Sequence, residues 1–539
     1  MPDHLLEVRN LSVRFHTAQG VVNAVNDVSW HVDRGETLAI LGESGSGKSV
    51  SSSAIMNLID CPPGEIHSGE IWFDGKDLLT LSEEERRALN GKRIAMIFQD
   101  PLSHLNPVYT VGWQIAETVT AHGRPGQMAR DRALELVRRV GIPNPEAALK
   151  KYPHQFSGGQ RQRLMIAMAL ALKPDILIAD EPTTALDVTV QAEVLTLLEE
   201  LQAETGMGLV LITHDLGVVA ESADRVVVME GGKIVETGTP HEIYHAAKHP
   251  YTRKLIAAAP GQGEMRVPDE TAEPILSCRN MKKSYGAFDA LKGASFDLMA
   301  AETLAVVGES GSGKSTLARL ILRLEEASGG EALWKGQDLL QMSPREMGKV
   351  RRQIQMVFQD PTQSLNPRMS VHDIISEAWV IHRDVLEKRR WRDRVVELLE
   401  QVGLEASHAG RYPHQFSGGQ RQRIAIARAL ALEPDLIICD EAVSALDVSI
   451  QAQVIELLGR LRDELGIAFM FIAHDLPVVR DFADRVLVMK SGDIVEQGPV
   501  RRIFEDPREG YTQRLLAAGL DPDPEVQRQR REARLKLTA

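Results

Sequence analysis

At 539 residues the chain is too long for a single hydrophobic core and suits several domains. A composition of 43% hydrophobic and 25% charged residues is ordinary for a globular protein and excludes disorder or a fibrous repeat as its main character. The formal net charge of −13 argues against a protein that wraps nucleic acid, because phosphates call for a basic surface.

In chain order, the apolar run Thr37–Leu41 predicts a short buried strand. It leads into Gly42-Glu43-Ser44-Gly45-Ser46-Gly47-Lys48-Ser49, with Val50 next, which fits G-x-x-x-x-G-K-[ST]. Glycines there let the backbone curl so that successive N–H groups point at phosphate oxygens. Lys48 would reach the β- and γ-phosphates, and the Ser49 hydroxyl would bind Mg2+. Further on stands Phe98-Gln99-Asp100-Pro101, then Tyr152–Arg163 with Ser157-Gly158-Gly159-Gln160 at its centre. A Ser-Gly-Gly turn opening a helix is itself an anion site, since the helix N-terminus presents free N–H groups and a positive dipole end. Asp175–Asp180 and Gly208–Thr213 predict two more parallel strands, and Val190–Leu201 a helix with a core face. Asp180-Glu181 falls at the carboxyl edge of its strand, where α/β sheets bind ligands. Asp180 would organise the metal and Glu181 would orient or deprotonate an attacking water.

The chain is then written again. Gly308-Glu309-Ser310-Gly311-Ser312-Gly313-Lys314-Ser315, followed by Thr316, repeats the phosphate loop after Leu304–Val307. Phe358-Gln359-Asp360-Pro361, Ser417-Gly418-Gly419-Gln420, Asp440-Glu441 and Ala445–Val448 match Phe98–Pro101, Ser157–Gln160, Asp180-Glu181 and Ala185–Val188 in the same order. Lys314, Ser315, Asp440 and Glu441 take the corresponding roles. The expected division is a first domain over 1–259, a flexible Pro/Gly-rich linker over 260–274, a second domain over 275–520 and a basic tail over 521–539 whose helix end is solvated. Strands alternating with helices predict an α/β fold with a largely parallel sheet in each copy. Cys61, Cys278 and Cys439 are far apart and read as reduced thiols of a cytosolic protein. The longest clean apolar run, Leu164–Leu172, is about half of the ~20 residues a spanning helix needs, and no signal-peptide layout opens the chain.

The ordered set of phosphate loop, Gln loop, SGGQ signature, Asp-Glu strand end, Ala-Leu-Asp and His-Asp resembles the ATP-binding domain of ABC transporters, twice over. Asp100–Pro107, Asp360–Pro367, the GESGSGKS loops and His249-Pro250-Tyr251-Thr252-Arg253 resemble the peptide/nickel importer branch, and the fused layout is similar to tandem ATPases of peptide, glutathione or peptide-antibiotic uptake. The resemblance implies two P-loop ABC-type nucleotide-binding domains, each a RecA-like core with a helical subdomain, that hydrolyse ATP with Mg2+. It implies that Phe15 and Tyr285 stack on adenine, that Gln99 and Gln359 contact the metal or water, and that His214 and His474 contact the γ-phosphate. It also implies that Asp187 and Asp447 bridge the modules, and that Gly42–Ser49 faces Ser417–Gln420 while Gly308–Ser315 faces Ser157–Gln160. Two membrane permease subunits and an extracytoplasmic binding protein are the implied partners, with no nucleic acid, at the cytoplasmic face of the plasma membrane. The second copy departs at Glu509-Gly510-Tyr511-Thr512 and at Ala442 in place of Pro182, neither of which removes a catalytic group. A soluble tandem ABC protein acting on ribosomes is the alternative, but such proteins carry a long charged helical linker and Pro260–Pro274 is short and acidic.

Overall fold

A computed structural model describes residues 4–17, 20–123, 126–184, 186–269, 271–444 and 446–538. Ala185 and Ala445 of the Ala-Leu-Asp motifs, and Glu270 of the expected linker, lie outside the described residues. By internal contact the chain forms two units, Met1–Ala258 with Leu520–Ala539, and Ala259–Gly519.

In the first unit, the short runs expected as strands are buried on both faces, which is why they read as unbroken apolar sequence. A six-stranded sheet runs in the order Lys233–Gly238, Arg225–Glu230, Thr37–Leu41, Gly208–Thr213, Ile176–Asp180, Ile94–Ile97. All neighbours are parallel except the first two. Gly208–Thr213 therefore lies between the strand that feeds the phosphate loop and the strand that ends in Asp180, so both deliver their residues to one carboxyl edge. A four-stranded antiparallel sheet, ordered Gly20–Val32, Leu6–Thr17, Gly64–Phe73, Lys76–Asp77, carries Phe15 near the end of its second member.

Helices Val111–Ala121, Gly126–Arg139 and Gly158–Ala169 bury Ile115, Val119, Leu136, Val137, Leu164 and Ile166 in one core with the underside of the six-stranded sheet. The helix expected over Val190–Leu201 spans Val188–Thr205, with Val194, Leu195, Leu197 and Leu198 on its buried face. The second unit repeats this plan, with sheet orders Phe288–Met299, Pro274–Tyr285, Gly329–Trp334, Gln337–Asp338 and Ile354–Val357, Leu436–Asp440, Ala468–Ile472, Thr303–Val307, Arg485–Lys490, Asp493–Pro499.

Two segments differ from expectation. The polar stretch after Ala259 is held by the second unit: the Gly261 N–H donates to Asp481 at 2.6 Å, and Arg480 donates to the carbonyls of Gly261 and Gly263 at 2.7 and 2.8 Å. Arg266 pairs with Asp484 at 3.1 Å. Its backbone polar groups find charged partners on another element, which low local apolarity could not reveal. The basic tail forms helix Pro524–Thr538 and belongs to the first unit, with Gln527 only 1% exposed. Gln527 and Arg534 both donate to Glu221, whose side chain is fully buried, and Arg531 pairs with Glu199. Two arginines of the tail, Arg531 and Arg534, are thus matched by carboxylates on the helix Val188–Thr205 and its neighbour Leu216–Ser222, while Arg528 and Lys536 are exposed as expected.

Among the described residues, no helix is long and apolar enough to cross a membrane. The three cysteines are unpaired; burial pushes the thiols of Cys278 and Cys439 up to about 12, so neither is a nucleophile at neutral pH.

Candidate functional site

The phosphate loop of each unit leaves a buried strand and enters a helix at its lysine, Lys48–Met56 or Lys314–Ile321. Two of its glycines are obligatory for different reasons. Gly47 and Gly313 cap the helix with φ of 97° and 104°, a left-handed backbone that side-chain-bearing residues avoid. A Cβ on Gly42 would sit 2.4 Å from the Met229 carbonyl oxygen, and one on Gly308 would sit 2.1 Å from that of Met489. Gly45 and Gly311, at φ of 79° and 80°, instead face open space, which is the room a phosphate requires. Ser46 Oγ and Ser312 Oγ are buried without a hydrogen-bond partner among the described atoms. Lys48 Nζ folds over the loop and donates to the carbonyls of Gly42 and Glu43 at 2.6 and 2.9 Å. Lys314 does the same to Gly308 and Glu309 at 2.8 and 2.9 Å.

Across the sheet edge, Ser49 Oγ donates to Asp180 at 3.0 Å and Ser315 Oγ to Asp440 at 2.9 Å. A hydroxyl beside a carboxylate at this spacing is a hard-oxygen pair of the kind that holds Mg2+. Burial pushes the Asp180 carboxyl up to about 6, assisted by the charge of Glu181 and opposed by Ser49 and Lys48. Asp440 is raised for the same first reason. A carboxylate that is costly to keep charged without a counterion is one poised to take a cation.

Glu181 and Glu441 follow with φ of 47° and 49°, a strained conformation for glutamate that both units hold. Their amides donate to the carbonyls of Ile212 and Ile472, so the strand ladder fixes the turn. Gln99 Nε2 donates to Glu181 at 2.7 Å and Gln359 Nε2 to Glu441 at 2.7 Å. His214 Nδ1 lies 3.1 Å from Glu181, whereas His474 Nδ1 stands 3.7 Å from Glu441, an electrostatic contact rather than a hydrogen bond. Glu181 is kept below its ordinary range: burial pulls upward, but hydrogen bonds and charge from His214, Thr184 and Lys48 outweigh it. For Glu441 the neighbouring His474 is the leading cause of the downward shift, and His474 in turn is raised because Glu441 and Asp475 overcome its burial. Each unit thus brings lysine, serine, aspartate, glutamate, glutamine and histidine to one edge.

The remaining expected residues lie on other elements. Ser157 and Ser417 are N-caps of helices Gly158–Ala169 and Gly418–Leu430 in the helical part, each in a capping box with Gln160 or Gln420. Gly159 and Gly419 prove to be packing glycines: a Cβ would stand 2.5 Å from Val190 and 2.2 Å from Ile450. Asp187 caps the helix Val188–Thr205 by accepting from the Val190 N–H. Phe15 is half-buried against Gly64, whereas Tyr285 is exposed, with its hydroxyl donating to Glu325 and Lys283 over its ring at 4.8 Å.

The family model of the ABC transporter matches residues 25–184 and 291–444, together more than half of the chain. The chain belongs to the ABC transporter family. A second family model, the oligopeptide/dipeptide transporter C-terminal region, also matches twice, over residues 235–279 and 495–538. The glutathione import ATP-binding protein GsiA of Escherichia coli K12 is 47% identical, with 98% of this chain and 91% of that protein covered. Its namesake in Pectobacterium atrosepticum is 48% identical over 98% and 92%. Among solved structures, the ABC-transporter component cbiO1 from Clostridium perfringens aligns with 43% of this chain and 92% of its own at 31% identity, with a TM-score of 0.41. As an ABC ATPase the chain binds and hydrolyses ATP.

Sequence reasoning missed three participants. Thr184 Oγ1 donates to the Glu181 carboxylate at 3.0 Å, while its counterpart Ser444 turns to the Glu441 carbonyl instead. Tyr251, quoted above only as a mark of resemblance, and Tyr511, quoted only within a departure from it, reach the phosphate loops, where the amides of Glu43 and Glu309 donate to their hydroxyls at 3.1 and 3.2 Å. The signal was present in the repeat: the tyrosine is kept where the two residues before it change from His-Pro to Glu-Gly.

Proposed function

We propose that the chain is the ATP-hydrolysing motor of an importer for short peptides, glutathione among the candidates, working through separate membrane subunits. The observation that carries the reading is the duplicated sheet edge, complete in both units, joined to two matches of the oligopeptide-transporter C-terminal region. The phosphates of ATP would lie in the N–H cradle of Gly42–Ser49 or Gly308–Ser315, with Lys48 or Lys314 balancing their charge. Ser49 with Asp180, and Ser315 with Asp440, would hold Mg2+, which supplies charge neutralisation to the β- and γ-oxygens. Glu181 or Glu441, held by its glutamine and kept ionised at neutral pH, would accept the proton of the water that attacks the γ-phosphorus. The bond to the β–γ bridging oxygen breaks, giving ADP and phosphate. His214 and His474 would steady the glutamate and the γ-phosphate, Phe15 and Tyr285 would take the adenine, and the N-termini at Ser157–Gln160 and Ser417–Gln420 would close on the nucleotide.

Val108, Tyr109 and Trp113, exposed just after the Asp100–Pro107 segment and with the two rings stacked at 4.0 Å, supply an apolar surface suited to a membrane subunit at the cytoplasmic face. Purification of the tagged chain in mild detergent, followed by mass spectrometry, should recover two multi-span proteins and an extracytoplasmic binding protein. Ribosomal proteins without a permease would overturn the transport assignment. Glu181→Gln combined with Glu441→Gln should abolish turnover while ATP binding persists, and steady hydrolysis by that variant would remove both bases from the mechanism.

A further inference from the structure

Within each phosphate loop, one peptide group is gripped at both ends. The carbonyl of Gly42 accepts from Lys48 Nζ at 2.6 Å, and the N–H of the same peptide, belonging to Glu43, donates to the Tyr251 hydroxyl at 3.1 Å. The second unit repeats this with Gly308, Lys314, Glu309 and Tyr511 at 2.8 and 3.2 Å. The peptide plane cannot rotate without losing both contacts, and the carbonyl it presents is one of two that hold the lysine ammonium in place.

The tyrosine comes from a region that matches the oligopeptide-transporter C-terminal model, not the ABC model. It is positioned from beneath. Glu236 accepts from the N–H groups of Lys248 and His249 at 2.7 and 3.1 Å, and Glu496 accepts from those of Arg508 and Glu509 at 3.1 and 3.2 Å. These contacts fix the turn that opens helix Pro250–Ala257 or Gly510–Ala518, whose second residue is the tyrosine. The two tyrosines are 6% and 8% exposed. The helix entry differs between the units, since the His249 imidazole caps the first and no side chain caps the second, yet the contact to the loop is the same. A tyrosine serving only as filler would have no reason to aim its hydroxyl at the same loop amide twice.

We infer that Tyr251 and Tyr511 are positioning residues for ATP binding: each locks the first peptide of its phosphate loop so that the lysine is preset for the β- and γ-phosphates. Through it, the C-terminal region acts as a brace on the nucleotide site. The inference rests on the assignment of Lys48 and Lys314 as phosphate ligands. Without the hydroxyl the loop samples other orientations of this peptide, and apparent affinity falls with the fraction of loops still competent. Chemistry, once ATP is seated, is unaffected.

The test uses the full chain with Tyr251→Phe and Tyr511→Phe combined, which keeps both rings and removes both acceptors. Steady-state hydrolysis should show KM for ATP raised about tenfold, the size of one lost hydrogen bond to a buried amide, with kcat within about twofold of the parent. Direct titration with Mg2+-ATP in the Glu181→Gln/Glu441→Gln background should show the same loss. An unchanged KM and affinity overturn the inference, as does a fall in kcat alone, which is the signature of partial unfolding. Lys48→Ala with Lys314→Ala is measured alongside. If that pair retains ATP affinity, the site assignment itself fails; if it loses affinity while the phenylalanine pair does not, only the role of the tyrosines is lost.

Discussion

Asp180 sits where burial makes its charge costly. With its carboxyl raised to about 6 from an ordinary 3.8, the folded nucleotide-free protein binds a proton between about pH 4 and 6 that the unfolded chain has released. Stability therefore falls as pH rises through that window, and the penalty is complete above about 6. Asp180→Asn removes the ionisation while keeping an acceptor for Ser49, so it should raise the melting temperature of nucleotide-free protein at pH 7.5 by about 2–4 °C and abolish hydrolysis at that site. Calorimetry showing no rise would mean that burial is not what shifts this group. At this scale the sequence was informative where chemistry and position coincide: an Asp-Glu pair closing an apolar strand must lie at the sheet edge. For Tyr251 the repeat marks the residue but not its place, because only the fold brings residue 251 to residue 43.

The two glycines of the signature segment separate at the scale of the element. Gly159 is pressed against Val190, while a Cβ on Gly158 would meet nothing within 4 Å. Gly159→Ala should destabilise the first unit by about 1–3 kcal/mol, and Val190→Ala in the same chain should restore most of it. Gly158→Ala should leave thermal stability within about 0.5 kcal/mol, since a Cβ there meets no neighbour, and should depress ATPase activity if the helix entry closes on the nucleotide as proposed. Denaturant melts of the three variants decide the matter; equal destabilisation by both alanines would refute the division of labour. The S-G-G spacing announced a helix entry, but not which glycine packs and which stands open, since that depends on the later helix Val188–Thr205. The helix at the other end of the chain departs in part from expectation for a related reason. Its arginines look like a solvated run until Glu199 and Glu221 are seen facing them. Arg534→Met should cost the first unit about 3 kcal/mol by leaving the buried Glu221 short of its cation. Hydrogen exchange should show the loss as faster opening of Leu216–Ser222, and unaltered exchange there would show the tail to be loosely held.

For the whole molecule, the internal repeat makes the doubling of the site legible in the sequence itself, because every chemical group recurs in order. Lys48→Ala and Lys314→Ala should therefore each reduce substrate uptake at least tenfold when made singly, since each unit holds a complete set of groups. Full uptake by either single variant would mean that one site is dispensable. What the repeat concealed is that the units are not two consecutive lengths of chain. The first is assembled from residues up to 258 together with residues from 520 onward.

That discontinuity has a bearing on biosynthesis. On the ribosome the sheets and phosphate loop of the first unit emerge early, but Gln527, Arg531 and Arg534 are not made until the whole second unit has been translated. Until then Glu221 has neither of those donors, and the helix that bears it remains uncovered. A message broken or a translation aborted anywhere in the second half thus leaves a first unit with an unsealed flank open to proteases, so the cell's own degradation machinery would sort finished motors from fragments.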